Sequence, residues 1–144
     1  MSDPISGQHL VVLGAGFAAL STVREVRKHD RHVRITVIAP RAELHYLPGI
    51  IWIPCGLRRR EDLVVPLHNF FQRMNVQFIQ AEVQGLAEQG RVVLTTAGPV
   101  RNDALVIATG GRFIKKLPGI EHAITPCEGI AAAEQIRDRL KAMQ

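Results

Sequence analysis

The chain has 144 residues, 47% of them hydrophobic, and a formal net charge of +5. These values predict one globular domain, residues 1–144, and exclude a disordered or fibrous chain. The sequence has no apolar run long enough to span a bilayer, and its polar start, Met1–Gln8, lacks the pattern of a secretion signal. With one Trp, one Tyr and scattered basic residues, nucleic-acid binding is not expected.

The first elements predict a dinucleotide site. A continuous apolar run, Leu10–Leu13, indicates a buried parallel strand, and helical spacing extends from Phe17 to about His29. In the turn between them, Gly14 permits a sharp bend and Gly16 allows a pyrophosphate to come close, while Ala19 lets the helix pack tightly on the strand. The amides at the helix start would hold the phosphate. The predicted phosphate-binding residues are Gly14, Gly16, Phe17 and Ala18.

The second strand, Val33–Ile38, completes a βαβ unit but departs from the usual pattern. An acidic residue normally ends this strand and binds the ribose, whereas here Ala39 and Pro40 follow it. Either Arg41 or Glu43 contacts the adenosine side in this interpretation. The missing acid argues against NAD and permits a flavin adenine dinucleotide held differently at its ribose.

The segment Leu44–Gly56 is apolar and aromatic, and its prolines, including Pro48, make it a poor helix. Two interpretations stay open: a packed connection, or an apolar wall beside a planar cofactor ring. A short helix is predicted from Pro66 to about Met74, with Pro66 in its first turn. Val76–Ile79 is predicted as the third parallel strand.

Shorter alternating segments follow and predict a small antiparallel meander, with turns at Gln89-Gly90 and 97–99. The meander strands are expected at Ala81–Leu86, Arg91–Thr96 and around Val100. Next comes a buried strand, 104–107, that ends in the small residues Ala108, Thr109 and Gly110. A helix is predicted over Glu128–Met143.

Cys55 and Cys127 are the two cysteines, and the sequence has no CxxC motif and no His/Cys cluster with metal-ligand spacing. No metal site is therefore predicted. Each thiol is either a buried apolar side chain or a reactive group, because reactivity depends on exposure.

The run from Gly14 to Ala19, followed by Leu105-Val106-Ile107-Ala108-Thr109-Gly110, resembles the flavoproteins with two dinucleotide-binding domains. The resemblance covers nearly all of residues 8–143. It implies an α/β fold: a Rossmann-like FAD-binding domain with a parallel sheet and a small antiparallel β-meander. It also implies FAD, with its diphosphate at the first glycine turn, the strand end at Ala108–Gly110 close to the cofactor, and the backbone of Val83 at the adenine.

Two branches of these flavoproteins are the most similar. The segments Tyr46–Pro48, Trp52–Gly56 and Arg60–Leu67 resemble sulfide:quinone oxidoreductases and flavocytochrome c sulfide dehydrogenases. Type II NADH dehydrogenases share the ATG strand and the helix at 132–137, but usually keep an acid at the place of Ala39 and lack a cysteine at Cys127. Both differences favour the sulfide branch, which implies a sulfur-handling role for Cys127 and places Pro48 beside the cofactor.

The resemblance further implies that the 144 residues are the N-terminal FAD-binding part of a longer enzyme, inactive alone. The whole enzyme would oxidise sulfide through a cysteine disulfide and pass two electrons by way of the flavin to quinone. It would be cytoplasmic or peripheral to the plasma membrane, touching the membrane through a C-terminal part. The alternatives are a type II NADH:quinone dehydrogenase and a non-catalytic nucleotide-binding module; the oligomeric state stays undetermined.

Overall fold

A computed structural model of the chain describes residues 7–111 and 114–143, so most of the Met1–Gln8 segment lies outside the described residues. The chain divides into two compact units. The first comprises the described residues of Met1–Leu44 and Pro66–Gly110. The second comprises His45–Val65 and the described residues of Gly111–Gln144.

A four-stranded parallel sheet forms the first unit. Its strands are β1 (His9–Leu13), β2 (Arg34–Ala39), β5 (Val76–Gln80) and β9 (Ala104–Ile107), in the order β5-β2-β1-β9. Helix α1 (Phe17–His29) connects β1 to β2. The predicted βαβ unit and third parallel strand are confirmed. The strand order reverses between β1 and β9, and doubly wound folds bind ligands outside the carboxyl ends of the strands at such a point.

The predicted meander lies between β5 and β9. It consists of β6 (Val83–Ala87), β7 (Val92–Thr95) and β8 (Gly98–Arg101), paired antiparallel in that order. The prediction that Gly98 and Pro99 form a turn is wrong, because both belong to β8. The Thr95 hydroxyl donates to the Gly98 carbonyl and accepts from the Ala97 amide, so the chain reverses before Gly98.

Apolar side chains fill both faces of the parallel sheet. One face packs against α1 and the helix α2 (His68–Arg73), and its buried members include Val12, Val23 and Phe71. The other face packs against the meander, with Val11, Leu13 and Val93 in contact. The expectation that β9 is buried is wrong, since β9 is the edge of the sheet and the Ile107 side chain is 62% exposed.

Short strands β3 (Glu43–His45) and β4 (Val64–Pro66) pair with each other. Pro66 ends β4, so the prediction that it opens a helix is wrong. The amide of Leu67 donates to the carbonyl of Ala42, which keeps Leu67 outside the helix, and α2 begins at His68.

The second unit contains helix α3 (Ile130–Ala142) and several 3-10 turns. A 3-10 helix over Leu47–Trp52 buries Ile50, which packs with Ile53, Leu63 and Ile130. Instead of an α-helix, the proline-containing segment thus forms tighter turns, in keeping with its composition. Within residues 7–111 and 114–143, no helix is long and apolar enough to cross a membrane.

Candidate functional site

The glycine turn after β1 lies at the carboxyl edge of the sheet. Leu13 pairs with Ile38 of β2 on one side and Ile107 of β9 on the other. The chain then turns at Gly14, whose φ of +103° is in the region that favours glycine. The Gly14 amide donates to the carbonyl of Ile38 at 2.8 Å, which fixes the turn against β2.

The end of β9 closes against the same turn. The amide of Ala108 donates to the carbonyl of Leu13 at 2.9 Å. A Cβ added to Gly14 would lie 2.3 Å from the Ala108 carbonyl oxygen and 3.2 Å from the Cα of Thr109. Only glycine lets the two backbones approach this closely. The structure therefore brings together Gly14 and the Ala108–Gly110 segment, which the resemblance separately assigns to the cofactor.

Gly16 has a different environment from Gly14. Its backbone is extended, with φ −82° and ψ −175°, and a Cβ built on it would meet no described heavy atom within 4 Å. The Gly16 carbonyl accepts from the amide of Leu20 at 3.1 Å, so Gly16 is the N-cap of α1. The absence of a side chain leaves space in front of the helix that an anion can enter.

The start of α1 favours a negative charge. Helix geometry directs the amides of the first turn, including those of Ala18 and Ala19, along the axis toward the N-terminus. The first turn carries no acidic side chain, and the basic residues Arg27, Lys28 and His29 lie at the other end. Ala19 is fully buried against the sheet, as predicted for the third small residue, and Phe17 is half-exposed beside the turn.

The predicted adenosine-side residues lie at the end of β2. Ala39 is buried, and its carbonyl accepts from the amide of Ala81 at 3.1 Å, which joins the start of the meander to this edge. Pro40 and Arg41 follow in exposed positions. The Arg41 Nε lies 3.9 Å from the Glu43 carboxylate, so the two candidates for the adenosine contact are neighbours.

Val83 begins β6, and the pairing of β6 with β7 shifts register between Val83 and Gly85. The Val83 side chain is partly exposed. Thr109 and Gly110 are exposed beyond β9, and Gly110 has a φ of +81°. Ile107, the last residue of β9, is exposed next to them.

Two predicted site residues belong to the second unit. Pro48 is exposed in the 3-10 helix Leu47–Trp52. Cys127 lies in a 3-10 turn, Pro126–Glu128, that packs against that helix and precedes α3 by one residue. The Cys127 amide donates to the hydroxyl of Thr125 at 3.3 Å. Cys55 and Cys127 are both exposed free cysteines, so the interpretation of either as a buried apolar residue is wrong.

No group of three or more His, Cys, Asp or Glu side chains that could hold a metal ion occurs among the described residues. The residues at the edge of the sheet instead fit a dinucleotide. A narrow turn lies against β9, open space lies in front of a helix N-terminus, and small residues surround both. This arrangement suits a diphosphate linker between two nucleotide groups.

A family model described as "Pyridine nucleotide-disulphide oxidoreductase" matches residues 8–143. The chain belongs to the pyridine nucleotide-disulphide oxidoreductase family. Members of this family are FAD-binding flavoproteins, which confirms the predicted cofactor class and the Rossmann-like fold.

Two named relatives illustrate what this chain is similar to. The sulfide-quinone reductase of Aquifex aeolicus (strain VF5) is 29% identical over 138 residues, which cover 95% of this chain and 31% of the relative. The type II NADH:quinone oxidoreductase of Staphylococcus aureus (strain NCTC 8325 / PS 47) is 33% identical over 117 residues, which cover 78% and 28%.

The crystal structure of sulfide:quinone oxidoreductase from Aquifex aeolicus superposes with a TM-score of 0.86 at 27% identity. The match covers 95% of this chain and 32% of that structure. The chain thus spans about a third of the length of the relatives it matches. These similarities confirm the predicted resemblance to the sulfide:quinone oxidoreductases.

Proposed function

We propose that this chain is the FAD-binding part of a flavoprotein that oxidises sulfide and passes the electrons to a quinone. The observation that carries the proposal is the approach of the Gly14 turn to Ala108, with open space at Gly16 beside it. FAD, when bound, supplies the carrier that takes two electrons from the donor and passes them to the quinone. The role of this chain is to bind the cofactor and to orient it.

Different residues at the edge of the sheet would bind different parts of the cofactor. The N-terminus of α1 and Gly16 would hold the diphosphate, since the helix amides and dipole favour negative charge there. Arg41 or Glu43 would contact the adenosine side, and the backbone of Val83 would meet the adenine. Thr109 and Gly110, exposed beyond β9, would lie along the cofactor. Pro48 is assigned to the flavin side by the resemblance alone.

Three observations support sulfide as the electron donor. The Aquifex aeolicus sulfide-quinone reductase is similar over 95% of this chain. Ala39 ends β2, whereas the type II NADH dehydrogenases, by the resemblance, usually keep an acid at this position. Cys127 is exposed, so its sulfur is accessible to sulfur compounds. A thiolate that exchanges with sulfur species must be accessible in this way.

NADH as the donor is the second candidate. The Staphylococcus aureus type II NADH:quinone oxidoreductase has the higher identity, although over a shorter part of this chain. The scaffold that holds FAD would be the same for either donor. The two candidates therefore differ in the donor that reduces the flavin, and a direct reduction assay separates them.

The experiment uses the natural protein in which this sequence occurs, purified with its flavin and kept without oxygen. Sulfide and NADH are added separately, and loss of the visible flavin absorbance is followed. We expect sulfide to reduce the flavin faster than NADH, and a quinone to restore the absorbance. Reduction by NADH alone would select the second candidate, and no reduction by either donor would support a non-catalytic nucleotide-binding module.

Cys127→Ser tests the sulfur-handling role, with Cys55→Ser as its control. Both cysteines are exposed and both belong to the second unit, so the two substitutions are matched in kind and in setting. We expect Cys127→Ser to lower sulfide-dependent quinone reduction while flavin content is retained, and Cys55→Ser to have no effect. Unchanged sulfide turnover in Cys127→Ser would remove Cys127 from the mechanism.

A further inference from the structure

Three polar side chains form a hydrogen-bonded chain near the amino ends of the parallel strands. His9 begins β1 and is 7% exposed, and its Nε2 lies 2.7 Å from the hydroxyl oxygen of Thr36 in β2, which is fully buried. The Thr36 hydroxyl donates to the side-chain oxygen of Gln77 in β5 at 3.3 Å. We define the His9 network as these three side chains, which link three neighbouring strands at the end opposite the glycine turn.

The hydrogen bonds of the network determine which nitrogen of the neutral His9 ring carries the proton. A hydroxyl group has a single hydrogen, and that of Thr36 is donated to Gln77. Thr36 therefore accepts from Nε2–H of His9, which leaves Nδ1 without a hydrogen. Nδ1 is buried, and within the described residues it has no hydrogen-bond partner. The His9 network thus fits the neutral ring, and a second proton would have to be buried at Nδ1.

The charged groups around the His9 ring favour its neutral form on balance. Arg34 lies opposite His9 in the register of β1 and β2, and it repels a positive ring. Asp103 attracts a positive ring; its carboxylate accepts from the His9 amide at 2.7 Å, and Arg91 donates to its backbone carbonyl. The carbonyl of Arg101 also favours the charged ring. Burial, which is the largest effect, and Arg34 outweigh these two attractions, so the pKa of His9 is lowered.

We propose that the His9 network is a pH switch: a proton on Nδ1 of His9 opens the amino ends of β1, β2 and β5, while the meander stays folded. A positive charge buried without a suitable acceptor is unfavourable, and exposure of the ring to water removes that cost.

Few hydrogen bonds hold the start of β1 in place. Opening it breaks the bond between His9 and Thr36 and the two bonds between the His9 backbone and Asp103, at 2.7 and 2.9 Å. The end of a strand opens at a lower free energy than the whole fold. The meander strands β6, β7 and β8 pair with one another, so their pairing does not depend on the His9 network.

The test is hydrogen–deuterium exchange of the natural protein, measured by mass spectrometry from about pH 8 to about pH 5, the range in which histidine changes charge. Rates are corrected for the intrinsic effect of pH on amide exchange. Peptides with the starts of β1, β2 and β5 report the switch, and peptides of β7 and β8 report the meander. His9→Gln removes the titrating ring and keeps a side-chain N–H that can donate to Thr36. Its matched control is His32→Gln, at an exposed histidine of the same unit.

We expect the equilibrium constant for opening of the amino ends to rise by up to about tenfold for each pH unit below 6.5, because the open state takes up one more proton. The rise ends once the pH is below the lowered pKa of folded His9, because the ring is then protonated in both states. His9→Gln is expected to abolish this pH dependence and His32→Gln to retain it. The meander peptides are expected to keep their protection throughout.

Arg34→Gln tests the switch without changing the buried network. Arg34 is exposed, so this variant is expected to fold, and loss of its charge lets folded His9 accept a proton more readily. The acid-induced opening should therefore be smaller in Arg34→Gln than in the natural protein. The control Arg31→Gln, at another exposed arginine before β2, should leave the opening unchanged.

Three results would overturn the proposal. One is equal protection of the amino-end peptides at every pH. Another is an acid-induced opening that persists in folded His9→Gln; if that variant does not fold, equal opening in Arg34→Gln and Arg31→Gln has the same meaning. The third is a loss of protection that extends equally to the meander, since this would be unfolding of the whole unit. Circular dichroism at neutral pH establishes which variants are folded.

Discussion

Gly14→Ala is predicted to destabilise the fold through two separate effects. The first is the φ of +103°, which an alanine adopts at a cost of about 1–2 kcal/mol. The second is contact, because the new Cβ would lie 2.3 Å from the Ala108 carbonyl oxygen, which is backbone and part of the sheet. Forcing β9 away from β1 adds about 1–3 kcal/mol, as overpacking does elsewhere.

Gly98→Ala provides a matched control. Gly98 has almost the same φ, +105°, but a Cβ there would have no described heavy atom within 4 Å. Unfolding by urea, followed by circular dichroism, gives the free energy of unfolding of both variants. We expect Gly98→Ala to lower the free energy of unfolding only by the cost of the positive φ. We expect Gly14→Ala to lower it by at least about 1 kcal/mol more, because of the contact with β9. Equal losses would refute the close approach of the glycine turn to β9.

Further predictions concern the scaffold. Arg27→Ala is expected to lower the free energy of unfolding by about 2–3 kcal/mol, since the guanidinium donates to the carbonyls of Met74, Val33, Asn75 and Asp30 at 2.7–3.3 Å. Val23→Ala is expected to lower the free energy of unfolding, measured with urea, by about 1–3 kcal/mol. The Val23 side chain is fully buried between α1 and the sheet, and its removal leaves a cavity. The pKa of His9 is lowered from 6.5, mainly by burial and then by Arg34, against smaller opposing effects of the Arg101 carbonyl and Asp103. Unfolded His9 therefore takes up a proton at higher pH than folded His9. The contribution of neutral His9 to the free energy of unfolding is complete above pH 6.5, and it is lost as the pH falls toward the lowered pKa.

Each of these has a contradicting result. Arg24→Ala, at an exposed position on the same helix, should change stability by less than about 0.5 kcal/mol, and an equal loss at Arg24 and Arg27 would contradict the bonding role. Wild-type stability of Val23→Ala would contradict the packing of α1. For His9, urea unfolding is measured at several pH values, and His9→Gln should remove part of the pH slope; an unchanged slope would contradict the prediction.

Local patterns were sufficient to predict much of the fold. The run at Leu10–Leu13 is apolar without alternation, and β1 lies buried between β2 and β9. The spacing of Leu20, Val23 and Val26 predicted α1 with the bounds that the structure gives, Phe17–His29. These elements were predictable because each is specified by its own residues and by the glycine turn next to it in the sequence.

Other features depend on distant contacts. Pro66 satisfies the local rule for a helix start, but the bond from the Leu67 amide to Ala42 delays the helix. The exposure of Ile107 follows from the position of β9 at the edge of the sheet, which its own sequence does not specify. The exposure of both cysteines was likewise undetermined, because it depends on the surrounding chain. The same limit applies to the site, where the turn at Gly14 was predictable and its close approach to the Ala108 carbonyl was not.

FAD affinity of Gly16 variants tests the central claim most directly. Gly16 has a backbone that any residue adopts and open space around it, so Gly16→Ala and Gly16→Val should lower the free energy of unfolding by no more than about 1 kcal/mol, the cost of a poorer N-cap. Their side chains would occupy the space proposed for the diphosphate. Titration of the flavin-free natural protein with FAD should show an affinity at least about tenfold lower in both variants, equivalent to about 1.4 kcal/mol. Natural affinity in a folded Gly16→Val protein would contradict a diphosphate at this turn.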